Sequence, residues 1–240
     1  MSWPTVSWSQ APSVTATTLR QADAAAAAQF GIEPLQLMEI AGAQVARFVS
    51  AFFEDIRTKR VLVVAGSGNN GGDALVAARF IHQRAAEVTV SLVRSRDPKS
   101  LSAHHAKTIQ QLGISVADAP SGIDGSADLI VDGLLGTGIR PPLRQPAPQI
   151  IAAMNGTQRP IVAIDVPSGM DADDAAGAQD AVRAIATITL AAPKAGLAVA
   201  PNAGRVFVAD IGMPTALFSR DAEAVAAIFR IADLVELVHT

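Results

Sequence analysis

Three apolar runs in this 240-residue chain end in residues that can do chemistry: "VLVVAGSGNNGGD" (61–73), "LIVDGLLGTGIRPP" (129–142) and "IVAIDVPSG" (161–169). In the first, Gly66, Gly68 and Gly71 spell G-x-G-x-x-G, a spacing that lets backbone approach a pyrophosphate at a helix N-terminus. Asp73 reads as the N-cap of the helix that follows, where its carboxylate would occupy the donors a bare phosphate needs. Asn69 and Asn70 add amides that a plain capped turn does not require. In the second run, Asp132 ends the apolar stretch, Gly136 and Gly138 expose backbone N–H groups, Arg140 adds a fixed positive fork, and Pro141 and Pro142 stiffen the exit. In the third, Asp165 sits at the last strand position and Pro167 holds Val166 extended, so that the turn brings Ser168 to the same edge.

Singly, each ending also has an ordinary structural reading: a capped tight turn, a proline turn, a strand-end carboxylate capping the next element. Together, Asn70, Asp132 and Ser168 offer hard oxygen ligands without imidazole or thiolate, a set that suits an alkali or alkaline-earth cation better than zinc or copper. The chain has no cysteine, which excludes a disulfide frame, a thiolate metal site and a thiol nucleophile. Its net charge of −3 carries no basic stripe for nucleic acid, so a small ligand is expected. His104 and His105 are adjacent in a polar stretch and read as solvated, as does the loop "DADDAAG" (171–177), which lacks the oxygens of a calcium loop. No G-x-S-x-G elbow supports a hydrolase.

The elements that must position these residues alternate. After an N-terminal arm over 1–13, a single domain is expected over 14–240, long enough to bury roughly 70 to 75% of its unfolded surface. Helices are expected from Thr15, Thr17 or Thr18 as N-cap to Gly31, from Pro34 to about 56, at 73–85, 100–112 and about 146–155, with one or two in 221–238. Strands are expected at 61–65, 87–93, about 114–117, 128–132, 161–165, 185–190 and 205–210. Several are continuous apolar runs, which suits a parallel sheet covered on both faces and an α/β doubly wound fold. In such sheets ligands bind outside the carboxyl ends of the strands, where all three polar endings fall. The apolar window 181–200 is broken by Arg183, Pro193 and Lys194, and residues 1–19 lack a signal-peptide core, so a cytoplasmic chain with no membrane partner is expected.

As a set these blocks resemble the NAD(P)H-hydrate epimerase family, the YjeF-type N-terminal domain that includes the apolipoprotein A-I-binding protein. The matching stretches are "LMEIAG" (37–42), "GSGNNGGDALVAAR" (66–79), "DLIVDGLLGTGIRPPLR" (128–144), "IVAIDVPSGMDAD" (161–173), "APKAGL" (192–197) and "GRVFVADIGMP" (204–214). The resemblance implies a Rossmann-like three-layer αβα sandwich with a mostly parallel central sheet. It implies a homodimer that interconverts the 6R and 6S epimers of hydrated NADH and NADPH, in concert with a separate NAD(P)H-hydrate dehydratase. It also implies that Asn69, Asn70, Gly71, Gly72, Asp73, Gly136, Thr137, Gly138, Ile139, Arg140, Pro141, Pro142 and Asp165 contact substrate. One potassium ion would be held by Asn70, Asp132 and Ser168. Asp165 is the expected general acid or base, helped by Asp73 or Asp132.

Two departures stand out: Ile40 replaces the family's usual Asn, and Ala74 stands where Gly is common. The resemblance implies an epimerase domain without the fused dehydratase domain of many bacterial relatives, so the chain is not expected to complete repair alone. Competing readings are a non-catalytic dimeric binding module for nucleotide, protein or RNA and an NADP-dependent oxidoreductase, the latter drawing on Arg94 and Arg96 as holders of a 2′-phosphate.

Overall fold

The computed structural model describes residues 3–239. Nine strands form one sheet in the order β1-β9-β8-β7-β6-β5-β2-β3-β4. They are β1 (Thr5–Ser7), β2 (Arg60–Ala65), β3 (Glu87–Leu92), β4 (Ser115–Asp118), β5 (Leu129–Gly133), β6 (Ile161–Ile164), β7 (Ala186–Leu190), β8 (Arg205–Ala209) and β9 (Leu234–Val238). Every neighbouring pair is parallel except β8 and β9. The helices are α1 (Ala16–Phe30), α2 (Pro34–Phe52), α3 (Asn69–His82), α4 (Leu101–Gln111), α5 (Ala147–Gly156) and α6 (Ala222–Phe229).

Side chains alternate across a strand, so the continuous apolar runs supply two cores. Val61, Val63 and Ala65 of β2 join Leu129, Val131, Val162 and Ile164 under the apolar faces of α1 to α4. Leu62 and Val64 join Ile130 and Ile161 against Ile150, Ile151 and Met154 of α5. A third cluster, with Val206, Val208, Val235 and Leu237, fills the end of the sheet near β9. The expected three-layer αβα sandwich is therefore the observed one.

Some local expectations are corrected. Of the arm expected over 1–13, residues 1 and 2 lie outside the described residues, while Thr5–Ser7 pair in parallel with Glu236–Val238 and Trp3 lies against Phe48 and Phe207 at ring-centroid distances of 5.7 and 5.4 Å. Of the one or two helices expected in 221–238, one is present at Ala222–Phe229, and Leu234–Val238 is strand, because Val235 and Leu237 turn inward while Glu236 faces Arg205 at 2.7 Å, an alternation of period two. Asp73 is not an N-cap. Helix α3 begins at Asn69 with Gly68 as its cap residue, and Gly72 N–H donates to Gly68 O at 3.1 Å. The glycines permit this early start, since a β-carbon on Gly71 would sit 1.8 Å from Gly66 O.

His105 is buried rather than solvated, on the inward face of α4, with Nδ1 3.9 Å from Glu39 Oε1. Desolvation holds its imidazole below the usual range, partly opposed by Glu39. The loop 171–177 is a tether as well as a turn: Asp173 Oδ1 accepts from Ala16 N–H at 2.7 Å, at the first residue of α1.

Candidate active site

Strand order reverses between β2 and β5, and the loops leaving their carboxyl ends part there to form a crevice. A cavity of about 790 Å³ opens at that point. Ser67, Gly68 and Asn69 line it from the start of α3, Leu134 to Ile139 from the loop after β5, and Arg20 and Asp23 from α1. No side chain caps the α3 N-terminus, so its first-turn donors are not taken up by Asp73 as the sequence had implied. Asp73 instead stands one turn inside the helix, buried against the cavity. Burial pushes its carboxyl well above the ordinary range, Asp165 and Asp23 add to the shift, and Lys194 offsets part of it.

Asp165 has a φ of +68°, and Val166 N–H donates back to Ile164 O at 2.8 Å. That pattern is a γ-turn of the rare positive-φ kind, strained for a residue with a β-carbon. One strand over, Ala191 repeats it, with φ +65° and Ala192 N–H donating to Leu190 O at 2.8 Å. The two turns bring Asp165 and Lys194 together. Lys194 is fully buried, and its Nζ lies 2.5 Å from Asp165 Oδ1 and donates to Leu190 O at 2.5 Å. Leu190 N–H also donates to Asp165 Oδ1, at 3.3 Å. The paired carboxylate and ammonium both line the cavity, so Asp165 is presented to whatever occupies it in a fixed orientation.

Behind the cavity wall, Asp132 and Ser168 are wholly buried and bonded to each other. Ser168 Oγ donates to Asp132 Oδ1 at 2.7 Å, and Ser168 N–H to Oδ2 at 2.9 Å. Burial pushes the Asp132 carboxyl up to about 6 against the pull of these bonds. Asn70 Nδ2 donates to Leu135 O at 2.8 Å and Ile164 O at 3.2 Å. Its Oδ1 is buried and, among the described residues, has no hydrogen-bond partner. No group of three or more His, Asp or Glu side chains is placed to hold a metal ion among those residues. Any cation here would rest on amide, hydroxyl and carbonyl oxygens together with one carboxylate.

Of the residues expected to touch substrate, Asn69, Asn70, Asp73, Gly136, Thr137, Gly138, Ile139 and Asp165 line the cavity. Gly71 and Gly72 are not among its lining residues; each is a close-approach position, Gly71 against Gly66 and Gly72 against Met38. Nor are Arg140, Pro141 and Pro142: Arg140 Nε stands 3.7 Å from Asp171 Oδ2, and Pro141 is next to Gly177. Arg94 pairs with Asp118 at 2.6 Å, and neither it nor Arg96 lines the cavity. Ile40 is exposed beside Gly212, and the Ala74 methyl fills the space over Gly133. Sequence reasoning missed Lys194, Asp23 and Arg20. For Lys194 the signal was present, as the one charged residue in "ATITLAAPKAGLAV" (186–199). Asp23, in an alanine-rich helix, gave none.

These features define a Rossmann-like protein with acid and base groups gathered at the switch point of its sheet. The chain belongs to the family described as YjeF-related protein N-terminus, whose model matches residues 34–196. A relative named NAD(P)H-hydrate epimerase, from Rhodopirellula baltica, is 33% identical over 216 residues, covering 87% of each chain. A second of that name, from Rhodobacter capsulatus, is 39% identical over 175 residues, covering 68% of this chain and 81% of its own. The bifunctional NAD(P)H-hydrate repair enzyme Nnr of Salinibacter ruber is 36% identical over 231 residues, and the match takes in 88% of this chain but only 43% of that one. The crystal structure of the yeast protein ynu0 superposes with a TM-score of 0.75 at 27% identity, covering 82% of this chain and 88% of the yeast chain.

Proposed function

We propose that this protein interconverts the 6R and 6S epimers of hydrated NADH and NADPH, as an isomerase of nicotinamide cofactor repair. The observation that carries the reading is the buried Asp165–Lys194 pair facing a cavity of about 790 Å³, in a chain of this family. Epimerisation at C6 makes a hydroxylated carbon lose and regain its configuration, and needs a group that gives and takes a proton. Asp165 is one such group, and Lys194 orients its carboxylate and balances its charge. Asp73 and the open N-terminus of α3 face the polar parts of the substrate. The loop Gly136–Ile139 closes the other side.

One potassium ion fits the oxygen set, and the orphaned Asn70 Oδ1 is the observation that supports it. Asn70, Asp132 and Ser168 would hold it, where it would supply a fixed positive charge against the carboxylates. A homodimer is supported by exposed Phe30, Leu35 and Ile40 on α1 and α2, and light scattering of the purified protein tests it. A cytoplasmic setting is consistent with a cysteine-free chain in which no described helix is long and apolar enough to cross a membrane. Coupling to a dehydratase is supported by relatives that are bifunctional repair enzymes.

The deciding experiment mixes purified protein with both epimers of the hydrate and an epimer-specific dehydratase. Consumption of the resistant epimer is expected. Its persistence at the uncatalysed rate counts against the reading. Asp165→Asn is expected to abolish the exchange while the chain still folds, at a stability cost of roughly 3 kcal/mol for the stranded Lys194 ammonium.

A further inference from the structure

We infer that Asp23 is a second acid/base residue of this site, serving one face of the substrate ring while the Asp165–Lys194 pair serves the other. The inference rests on the epimerase reading.

An epimerase of this kind must move a hydroxyl from one face of a ring to the other. The hydroxylated C6 adjoins the ring nitrogen, so the C6–O bond breaks with its electron pair leaving on oxygen. An acid supplies the proton that turns the departing hydroxide into water, and the nitrogen lone pair forms the C6=N bond of an iminium. Water then adds to the other face of C6, and a base takes the proton released. Atoms and charge balance with no oxidant or reductant. The acid and the base stand on different faces, so one carboxylate cannot do both jobs without turning the ring over.

The carboxylates that line the cavity come from different elements. Asp165 and Lys194 project from the γ-turns at the ends of β6 and β7, whereas Asp23 comes from α1, along with Arg20 one turn earlier. Among the described residues the Asp23 carboxylate makes no hydrogen bond or ion pair, and the residue's backbone lies within α1. The wall it stands on is fixed to the rest of the site. Val14 forms a parallel bridge with Lys194, its N–H donating to Pro193 O at 3.0 Å, and Ala16 N–H is held by Asp173 at 2.7 Å. Asp23 is exposed at the cavity mouth, yet desolvation by the cavity wall and the charge of Asp165 hold its carboxyl above the usual range, and Lys194 draws it back in part. It therefore sits within electrostatic reach of the pair. Asp73, more deeply buried and pushed further toward its protonated form, suits a hydrogen-bond donor to the substrate.

The test is steady-state epimerisation by Asp23→Asn, Asp23→Glu and Asp73→Asn, with an epimer-specific dehydratase in excess and the hydrate as substrate. For Asp23→Asn, kcat is expected to fall by roughly 10² to 10⁴, the usual worth of a general acid or base, with KM within a few-fold and an unchanged melting temperature. Asp23→Glu is expected to recover part of the rate. In water enriched in oxygen-18, wild-type turnover is expected to place one solvent oxygen at C6 per epimerisation. Full activity of Asp23→Asn, or a raised KM at unchanged kcat, overturns the assignment. So does retention of the original oxygen, which requires the ring to open at the C6–N bond. If Asp73→Asn alone shows the kcat loss, the role belongs there. A wild-type protein that leaves the epimers unequilibrated sinks the epimerase reading itself, whereas an active wild type with an unimpaired Asp23→Asn sinks only this inference.

Discussion

Lys194 is wholly buried, and its ammonium is held by one carboxylate oxygen and one carbonyl. A buried ion pair is weak as a source of stability, but removing one partner strands the other. Lys194→Met is therefore expected to cost roughly 3 kcal/mol, the low end of the range for a buried pair because Asp165 opens on the cavity. Adding Asp165→Asn to the same chain should restore most of that stability and none of the activity. Urea denaturation of the two variants measures the first, and the coupled dehydratase assay the second. The same scale explains what the sequence could reveal of the site. Asp132, Asp165 and Ser168 stood out because a polar residue ending an apolar run is visible one position at a time. Lys194 and Asp23 did not, because their importance lies in facing Asp165 across turns and a helix that no local pattern encodes.

At the level of elements, α1 is more than a cover for the sheet. Thr15 Oγ1 accepts from Thr18 N–H at 3.2 Å, and Asp173 Oδ1 holds Ala16 N–H, so its N-terminus has two anchors. Asp173→Ala is expected to cost about 1 kcal/mol, as for a lost cap, and to raise KM more than it lowers kcat, because the cavity wall bearing Arg20 loosens. Thermal melts and steady-state kinetics check the two halves. The strands read best from sequence were the buried central ones, β2, β5 and β6, whose apolar runs leave no alternative. The pair β1 and β9 was missed because β1 is only three residues long and its partner lies more than 200 residues away in sequence. Helix α3 was placed four residues late, since two asparagines and two glycines look like loop until Gly71 is packed against Gly66.

For the whole molecule, the buried Asp132 sets a dependence on pH. Its carboxyl is raised from 3.8 to about 6 in the fold, so the folded state binds the proton more tightly than the unfolded chain. Stability is then fully present at low pH and is lost as pH climbs through the window from about 4 to 6, by about 3 kcal/mol. A potassium ion on Asn70, Asp132 and Ser168 would favour the carboxylate and offset that loss. Melting temperatures in potassium chloride and in a bulky organic-cation salt are thus expected to agree near pH 4 and to separate by pH 7, with potassium higher. Parallel curves would count against a cation at Asp132.

The paired γ-turns carry a final consequence for endurance. Each keeps a side-chain-bearing residue where glycine would rest more easily, at a cost of roughly 1 to 3 kcal/mol. Selection for heat resistance alone would relax them, so the easiest route to a hardier protein runs through its working parts. Ala191→Gly is expected to raise the melting point by about 2 to 4 °C while slowing turnover, because the turn that aims Lys194 gains freedom. Calorimetry beside the coupled assay would place this protein on the trade-off between durability and speed, and a variant improved in both would show that the strained turn serves no purpose.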